Sequence, residues 1–161
     1  MEYRRITDNE IDKALDLVLK VFMEFEAPDY SPEGVKSFIS DVIENESFKE
    51  GVRNGTFKTF VTTTDDNIVG VMTLRNETHI MLAFVQKDYH NQGIGKALFE
   101  HVLHEISAAN NSVSTITVNA SPYAVGFYEK LGFTATSEEQ EKHGIRFVPM
   151  KYAIEDIRFE L

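Results

Sequence analysis

The feature that most constrains this chain is an apolar strand that runs into a glycine turn and then directly into a helix. The segment is residues 84–98, FVQKDYHNQGIGKAL, in which Gly93 and Gly95 stand one residue apart. Glycine lets backbone N–H groups approach a bound group, because no Cβ stands in the way. The start of the helix adds unpaired N–H donors and a partial positive charge. The segment therefore predicts an anion site at 93–97 that suits a phosphate-bearing cofactor.

Length and composition indicate one globular domain. The chain has 161 residues, of which 42% are apolar, enough for a hydrophobic core, and we expect a single domain over residues 1–161. It lacks the run of about 18 apolar residues that a transmembrane helix needs, and residues 1–6 lack the apolar region of a secretory signal. We therefore expect a cytoplasmic protein without a membrane partner. Because the chain has no cysteine, disulfides, thiolate metal sites and a cysteine nucleophile are excluded.

The net charge is −10, from 16 basic and 26 acidic residues. A field of this sign disfavours nucleic acid as a partner, because phosphate contacts need clustered Lys and Arg. It favours a cationic or amine substrate. The plain alternative is that acidity only keeps a small protein in solution, and the composition does not separate the two interpretations.

The spacing of apolar residues in the first part of the chain predicts a strand and two amphipathic helices. The strand lies at 3–6, and the capping box of Thr7 and Glu10 opens the first helix. Ser31 is the predicted N-cap of the second helix. Residues 44–55, which are acidic and glycine-bearing, are predicted to form an exit loop.

The later part of the chain predicts a sheet. Short polar links between β-rich runs indicate an antiparallel meander of three strands, at 57–64, 68–74 and 79–85. A strand at 115–119 follows the helix behind the glycine turn, and its position predicts a parallel pairing with the strand before that helix. Two antiparallel strands are predicted to close the sheet, at 133–137 and 145–153, on either side of the charged loop 138–144.

Two segments carry a resemblance to a known family. One is residues 82–98, LAFVQKDYHNQGIGKAL, and the other is residues 119–133, NASPYAVGFYEKLGF. Together, and in this order of elements, they resemble the GNAT family of acyl-CoA-dependent N-acetyltransferases over essentially the whole chain. The resemblance implies an α/β, single-domain acyl-CoA N-acyltransferase fold. Such a fold has a mixed, mostly antiparallel central sheet flanked by helices, with a parallel pair that splays at the cofactor site.

The resemblance implies acetyl-CoA as the acyl donor and no metal. The pyrophosphate of coenzyme A is expected on the backbone N–H groups of the glycine turn, namely Gln92, Gly93, Ile94, Gly95, Lys96 and Ala97. The pantetheine arm is expected to run along Phe84 and Val85 as an added strand. Asn119 and Tyr128 are expected to contact the cofactor from the other side of the splayed pair.

His90 departs from the family pattern, which usually has Gln or Arg three residues before the first glycine. Because the motif acts through backbone donors, the departure leaves cofactor binding in place and puts only a side-chain role of this position in question. A rival interpretation of the glycine turn is a Rossmann dinucleotide site. That site requires a third glycine at position 98, which is Leu98, within a repeating βαβ chain. The remaining alternative is a glycine turn that binds nothing.

Acyl transfer from a thioester to an amine needs a neutral amine, a polarised carbonyl and a stabilised thiolate. In the family, a tyrosine of the second segment protonates the leaving sulfur, and Tyr128 stands at that position. A core aromatic is the plain alternative for Tyr128, and Tyr123 is the nearby substitute for the catalytic role. The backbone N–H of Phe84 or Val85 is expected to polarise the carbonyl, as in an oxyanion hole.

The base and the acceptor pocket are less constrained. His79 is the candidate base, since its unperturbed pKa suits proton transfer near neutrality; an ordinary strand-start histidine and a water chain stay open. The candidate substrate-binding residues are His79 together with Glu24, Glu26 and Tyr30, which lie where the first two helices meet, a region that shapes the acceptor pocket in the family. Solvated acids at a helix end are the alternative.

We expect an N-acetyltransferase that moves an acetyl group from acetyl-CoA to the primary amine of a small molecule or peptide, by direct attack with a tyrosine general acid. A non-catalytic acyl-CoA-binding or regulatory module is the alternative. His101 and His104, three residues apart on a helix, are read as helix-surface residues, because no third metal ligand lies nearby in the sequence. A homodimer is common in such folds, and the sequence leaves the oligomeric state and the acceptor open.

Overall fold

The computed structural model describes residues 1–154, so the end of the predicted domain, residues 155–161, lies outside the described residues. The helices are α1 (Ile11–Val21), α2 (Pro32–Phe38), α3 (Glu46–Arg53), α4 (Ile94–Ala109) and α5 (Val125–Leu131). The strands are β1 (Glu2–Arg5), β2 (Lys58–Thr64), β3 (Asn67–Arg75), β4 (His79–Val85), β5 (Thr115–Ala120), β6 (Thr134–Ala135), β7 (Gln140–Lys142) and β8 (Ile145–Ala153).

One sheet organises the molecule, with the strand order β1-β2-β3-β4-β5-β8-β6 and with β7 paired to β8. The β4–β5 pair is parallel, and the other pairs of the described sheet are antiparallel. This arrangement confirms the predicted meander and the predicted parallel strand after α4. It places the glycine turn at the end of β4, next to the one parallel neighbour of that strand.

Helices cover both faces of the sheet. On one face, α1 buries Ile11, Ala14, Leu15 and Val18, a helical stripe that packs with β-strand side chains such as Val71 and Phe84. On the other face, α4 buries Ile94, Leu98, Val102 and Ile106, which are spaced four residues apart along the helix. The sheet lies between the two hydrophobic clusters, one on each face, so that β4 and β5 are packed from both sides.

The helices α1 and α2 both continue into a π-helical turn. The capping box of Thr7 and Glu10 is present, and α1 continues into a π-helical turn at Phe22–Glu26 and a 3-10 turn at Ala27–Asp29. The second helix is capped as predicted, because the Ser31 hydroxyl accepts a hydrogen bond from the Gly34 N–H at 3.1 Å. A π turn inserts an extra residue into a helix and is frequent at functional sites.

The predicted exit loop at 44–55 is wrong, because most of it is helix α3. Asn45 caps this helix through a hydrogen bond that its side chain accepts from the Phe48 N–H at 2.9 Å. Phe48 and Val52, four residues apart, are buried under β2 and α1. A capping asparagine and one apolar pair outweigh the acidic, glycine-bearing composition on which the loop prediction was based.

The end of the sheet also differs from its prediction. The expected strand at 133–137 is reduced to β6, two residues long. The expected loop 138–144 contains β7, which pairs with β8 through a tight turn at His143 and Gly144, both with positive φ. A two-residue turn of this kind matches the twist of a hairpin and allows pairing to start within a charged segment.

Candidate active site

The parallel strands β4 and β5 are joined only at their first residues. Within residues 1–154 the register contains two pairs, His79↔Thr117 and Ile80↔Val118. The pairing of β3 with β4 shifts at the same place, because Thr73 faces Leu82 and the next pair is Leu74 with Ile80. The residue skipped by this β-bulge is Met81. Beyond it the two strands part, and a gap opens toward the glycine turn.

The bulge reverses which backbone groups of β4 face β5. Before it, the Thr78 carbonyl accepts a hydrogen bond from the Thr117 N–H of β5 at 2.9 Å. After it, the Gln86 N–H donates to the Val69 carbonyl of β3 at 2.8 Å. Antiparallel pairing alternates along the strand, so Phe84 also directs its N–H and carbonyl to β3. The groups that face the gap are those of Ala83 and Val85.

This alternation decides which backbone N–H of β4 could polarise the carbonyl of the thioester. The Phe84 N–H is directed at β3, whereas the Val85 N–H faces the gap. Ala83 faces the gap as well, and sequence reasoning missed it because a bulge leaves no pattern in the residues of a buried strand.

His90 holds one of these groups. Its Nε2–H donates to the Val85 carbonyl at 2.6 Å, which fixes the proton on this nitrogen because a carbonyl oxygen only accepts. The imidazole also lies against Phe25, with ring centroids 4.9 Å apart, and Phe25 stacks on Tyr123 at 5.2 Å. We call His90, Phe25 and Tyr123 the aromatic bridge, since it joins the end of β4 to the segment after β5. The departure from the family pattern at His90 thus has a structural role.

The glycine turn opens α4 with free donors. Gly93 adopts a φ of 76°, and a Cβ there would meet no described atom within 4 Å, so the backbone faces open space. Within the described chain no side chain caps this helix end. The Ala97 N–H donates to the Gly93 carbonyl at 3.0 Å, so the free donors end at Lys96 and the N–H of Ala97 is already used.

The chemistry of this turn fits a phosphate. No acidic residue stands in the first turn of α4, and the Lys96 ammonium is exposed, 4.0 Å from Glu100. A Cβ on Gly95 would lie 2.8 Å from the Phe127 ring, so only glycine fits between this backbone and that ring. Free N–H groups, a helix start and one cation together stabilise an anion.

Tyr128 lies on α5 inside the core, against Phe127 and Phe133. Its hydroxyl makes no hydrogen bond to residues 1–154. Burial raises the pKa of Tyr128, and the negative charge of Glu26 raises it further. The side chain is therefore a neutral phenol with a free O–H at neutral pH.

Glu26 is the last residue of the π turn and lies half-buried beside the segment that follows β5. Burial raises the pKa of Glu26 to about 7, the Ser121 hydroxyl opposes the rise, and the charge of Asp29 adds to it. The Ser121 hydroxyl is buried and forms no hydrogen bond of ordinary geometry among the described residues.

Tyr30 completes the same group. Burial is the main cause of the raised pKa of Tyr30, and the charges of Glu26 and Asp29 raise it further. We call Glu26, Tyr30, Ser121 and Tyr128 the carboxylate–phenol cluster. Three of its members were candidates from the sequence; Ser121 was missed as a site residue, because it reads only as the start of a short helix.

The other candidates lie elsewhere. The His79 Nδ1 is 2.8 Å from the Thr117 hydroxyl, at the closed end of the gap, and burial followed by the charge of Arg75 lowers the pKa of His79 to about 4. Glu24 is exposed and pairs with Lys87 at 2.8 Å. The exposed Asn119 follows Val118, the last residue of β5 that pairs with β4, at the edge of the gap.

Within residues 1–154, no group of three His, Asp or Glu side chains could hold a metal ion. His101 instead lies 3.9 Å from Glu105, on the same helix face. No helix in this part of the chain is long and apolar enough to span a membrane.

A family model described as the acetyltransferase (GNAT) domain matches residues 26–154. The chain therefore belongs to the GNAT acetyltransferase family, which confirms the resemblance read from the two sequence segments and places the chain among the acetyltransferases. A curated relative is the peptidyl-lysine N-acetyltransferase YjaB of Salmonella typhimurium, 38% identical over 78 residues. That match spans 48% of this chain and 50% of the relative, about half of each.

Solved structures share the fold. A GCN5-related N-acetyltransferase from Rhodopseudomonas palustris superposes with a TM-score of 0.79 at 22% identity, covering 94% of both chains. The PaiA N-acetyltransferase of Thermoplasma acidophilum, solved in complex with coenzyme A, gives 0.78 at 16% identity, covering 94% of this chain and 98% of that one. These likenesses confirm the predicted fold class.

Proposed function

We propose that this protein transfers an acetyl group from acetyl-CoA to the primary amine of a peptide or a small molecule. The observation that carries the proposal is the parting of β4 from β5 directly in front of the uncapped start of α4. A thioester arm needs a slot with free backbone partners, and its pyrophosphate needs an anion site at the mouth of that slot. In this structure the gap between β4 and β5 and the uncapped start of α4 lie next to each other.

The donor site follows from the free groups. Coenzyme A, when bound, supplies the acetyl thioester. The free N–H groups from Gln92 to Lys96 would hold its pyrophosphate, with the Lys96 ammonium nearby. Ala83 and Val85 would pair with the arm as an added strand. Because His90 already occupies the Val85 carbonyl, the partners that β4 offers are the two groups of Ala83 and the Val85 N–H.

The reacting carbonyl would be polarised by an N–H group of β4 that faces the gap. Such a donor is held by the strand and needs no reorganisation when negative charge develops on the oxygen. Tyr128 would donate its free O–H to the departing sulfur. Its raised pKa keeps the proton in place at neutral pH, so the donor is present in nearly every molecule.

The acceptor would approach from the side of the π turn, where Glu26 and Asp29 attract an ammonium group. The relative YjaB is named as a peptidyl-lysine N-acetyltransferase, which supports a lysine side chain as one acceptor class. A lysine amine and a small primary amine present the same chemistry to these carboxylates. The experiment below separates them.

The test is release of free CoA thiol from acetyl-CoA in the presence of lysine peptides and of small primary amines, with the products identified by mass. We expect acetylation of at least one class. If CoA binds in calorimetry and both classes stay unacetylated, the protein is an acyl-CoA-binding module instead of an enzyme. If CoA itself does not bind, the donor site is refuted as well. A Gly93→Val variant, which forces a branched side chain into positive φ, should weaken CoA binding.

A further inference from the structure

The His90 imidazole covers a backbone group that the proposed function leaves without a role. Its Nε2–H donates to the Val85 carbonyl at 2.6 Å. Because backbone directions alternate along β4, this carbonyl is directed into the gap between β4 and β5 and not at β3. Val85 is the last residue of β4, so the imidazole covers the gap-facing carbonyl at the end of the strand.

The covered carbonyl lies where the gap meets the glycine turn. A Cβ on Gly95 would lie 3.8 Å from the Val85 Cγ2, so Val85 stands directly beside the start of α4. An arm that runs from a pyrophosphate on the glycine turn into the gap therefore passes Val85 first. The arm of coenzyme A contains amide groups, and an amide N–H that pairs with β4 as an added strand needs a free carbonyl as its partner.

We propose that His90 is an intramolecular competitor of the donor arm, because its imidazole occupies the Val85 carbonyl to which an amide N–H of the arm would donate. This inference rests on the proposed function. It makes His90 a positioning residue: the imidazole leaves Val85 when the arm enters the gap, and the freed carbonyl completes the pairing of the arm with β4.

The exchange requires the rotation of one side chain and no movement of the backbone. The turn that carries His90 is held by its own hydrogen bonds. The Tyr89 N–H donates to the Gln86 carbonyl at 2.9 Å, and the His90 N–H donates to the Lys87 carbonyl at 3.1 Å. The Lys87 ammonium also pairs with Glu24 of the π turn at 2.8 Å. His90 is only partly buried, so its ring can turn outward while these contacts persist.

The competition at Val85 has a definite direction. One hydrogen bond is exchanged for another at the same oxygen, so the arm gains less on binding than it would gain at a free carbonyl. The affinity for the arm is reduced in proportion to the fraction of molecules in which the carbonyl is free. A hydrogen bond of ordinary net strength makes this reduction about 3- to 10-fold.

The same rotation opens the aromatic bridge. The imidazole lies against the Phe25 ring with centroids 4.9 Å apart, and Phe25 stacks on Tyr123 at 5.2 Å. Phe25 belongs to the π turn, on the side from which the acceptor is proposed to approach. Entry of the arm therefore releases one contact of the π turn, and by reciprocity the closed bridge weakens binding of the arm.

The first test compares the wild type with His90→Ala in calorimetric titrations with coenzyme A and with ADP, which carries a pyrophosphate without the arm. We expect His90→Ala to bind coenzyme A about 3- to 10-fold more tightly and to bind ADP with unchanged affinity. His104→Ala, the same substitution at an exposed position of α4, is the control and should change neither affinity. Equal or weaker binding of coenzyme A by His90→Ala, or an equal gain for ADP, would overturn the proposal.

The second test follows the imidazole of the wild type. The His90 Nε2–H, assigned in NMR spectra through its absence in His90→Ala, should give the signal of a hydrogen-bonded proton in the free protein. This signal should persist at saturating ADP and disappear at saturating coenzyme A. Its persistence in the coenzyme A complex would show that the arm does not displace the imidazole, and the proposal would be wrong.

These measurements distinguish the competition at Val85 from the proposed function. If His90→Ala shows the expected gain while the wild type acetylates no amine, the enzymatic function fails and the competition stands. If the wild type acetylates an amine while His90→Ala shows no gain, the function stands and the competition fails. If coenzyme A does not bind, the donor site is refuted and the competition with it.

Discussion

At the scale of single residues, Tyr128 combines a buried ring with an O–H that lacks a partner within the described chain. Removing that oxygen should leave the packing of α5 intact and remove the proton donor to the sulfur. We expect Tyr128→Phe to lower turnover by about 10²-fold, the low end of general-acid effects, with CoA affinity nearly unchanged. Steady-state kinetics and calorimetry measure the two quantities.

Tyr123→Phe is the comparison for this variant, because Tyr123 is half-exposed and contacts Phe25 through its ring. If Tyr123→Phe loses more turnover than Tyr128→Phe, the proton donor is Tyr123 and the proposed role of Tyr128 is refuted.

Glu10 is the most strongly stabilised carboxylate at the start of the chain. Both its oxygens accept hydrogen bonds from Arg4 at 2.8 Å, and it also accepts from the Thr7 N–H at 2.9 Å. The bond to Arg4, more than any other interaction, lowers the pKa of Glu10 from 4.5 to about 2. A lowered pKa in the folded state stabilises the protein above the unfolded pKa of 4.5 and ceases to do so as the pH falls to about 2.

We therefore expect Glu10→Gln to lower the free energy of unfolding by about 1–2 kcal/mol at pH 7, with the difference vanishing toward pH 2. Urea unfolding across this range measures it. Glu2→Gln is the control: Glu2 pairs with the same Arg4 at 2.8 Å, but its side chain is 66% exposed against 17% for Glu10. A loss in Glu2→Gln equal to that in Glu10→Gln would contradict the prediction.

Glu26 behaves oppositely, because its pKa is raised. Keeping this carboxylate charged in a half-buried position opposes folding above the unfolded pKa of 4.5, and fully above about 7. Glu26→Gln should therefore be more stable than the wild type at pH 8, by on the order of 2 kcal/mol, and indistinguishable from it at pH 4. Thermal unfolding at both pH values measures this. Equal stability at pH 8 would mean that the carboxylate is well solvated.

At the scale of elements, the β7–β8 hairpin is docked on the start of α2. The Ser31 N–H donates to the Gly144 carbonyl at 3.0 Å, and a Cβ on Gly34 would lie 2.5 Å from that same oxygen. The obstacle is backbone, so it moves only with the hairpin. We expect Gly34→Ala to destabilise the protein by about 1–3 kcal/mol and to speed hydrogen exchange at the Ser31 amide.

Gly126→Ala controls for the loss of glycine itself. Gly126 is exposed in α5, and its Cβ would meet no described atom within 4 Å. Since alanine favours a helix, this variant should gain about 0.5–1 kcal/mol. Unchanged exchange at Ser31 in Gly34→Ala would show that the hairpin does not depend on this contact.

The elements that were predicted well are those whose local signals and tertiary packing agree. The stripe of α4 and the glycine turn before it could be read from spacing alone, because a long helix repeats its pattern over four turns. α3 was missed because its eight residues contain one buried turn and a charged remainder, so that Asn45 was the clearest signal. Short elements depend on what they pack against, which a single sequence does not display.

The candidate site divides in the same way. The proposed cofactor site is made of backbone groups whose position is set by glycines, so Gly93 and Gly95 make it predictable from the sequence. The bulge at Met81 decides that Ala83 and not Phe84 faces the gap, and it depends on strand register rather than on residue type. Glu26 and Ser121, which influences the pKa of that carboxyl, are far apart in the chain, and only the fold brings them together.

At the scale of the whole molecule, the charge of −10 acts differently on the two substrates of the proposed reaction. A negative field attracts a cationic acceptor and opposes the approach of the phosphate-bearing donor, so the local donors of the glycine turn must overcome it. An enzyme of this charge therefore gains acceptor encounter at the expense of donor encounter, and added salt should shift both.

The last prediction follows from this asymmetry and uses two lysine peptides of equal length, one with flanking Arg and one with flanking Asp. Exposed charges are screened beyond about 10 Å at 0.1 M salt, so kcat/KM for the Arg-flanked peptide should fall about threefold between low and physiological salt. The Asp-flanked peptide should show a flat or rising value, and KM for acetyl-CoA should decrease. The matched backbone of the two peptides removes effects of salt on the enzyme itself. If both peptides respond equally, the acidic surface does not steer the acceptor, and the charge serves only to keep the protein in solution.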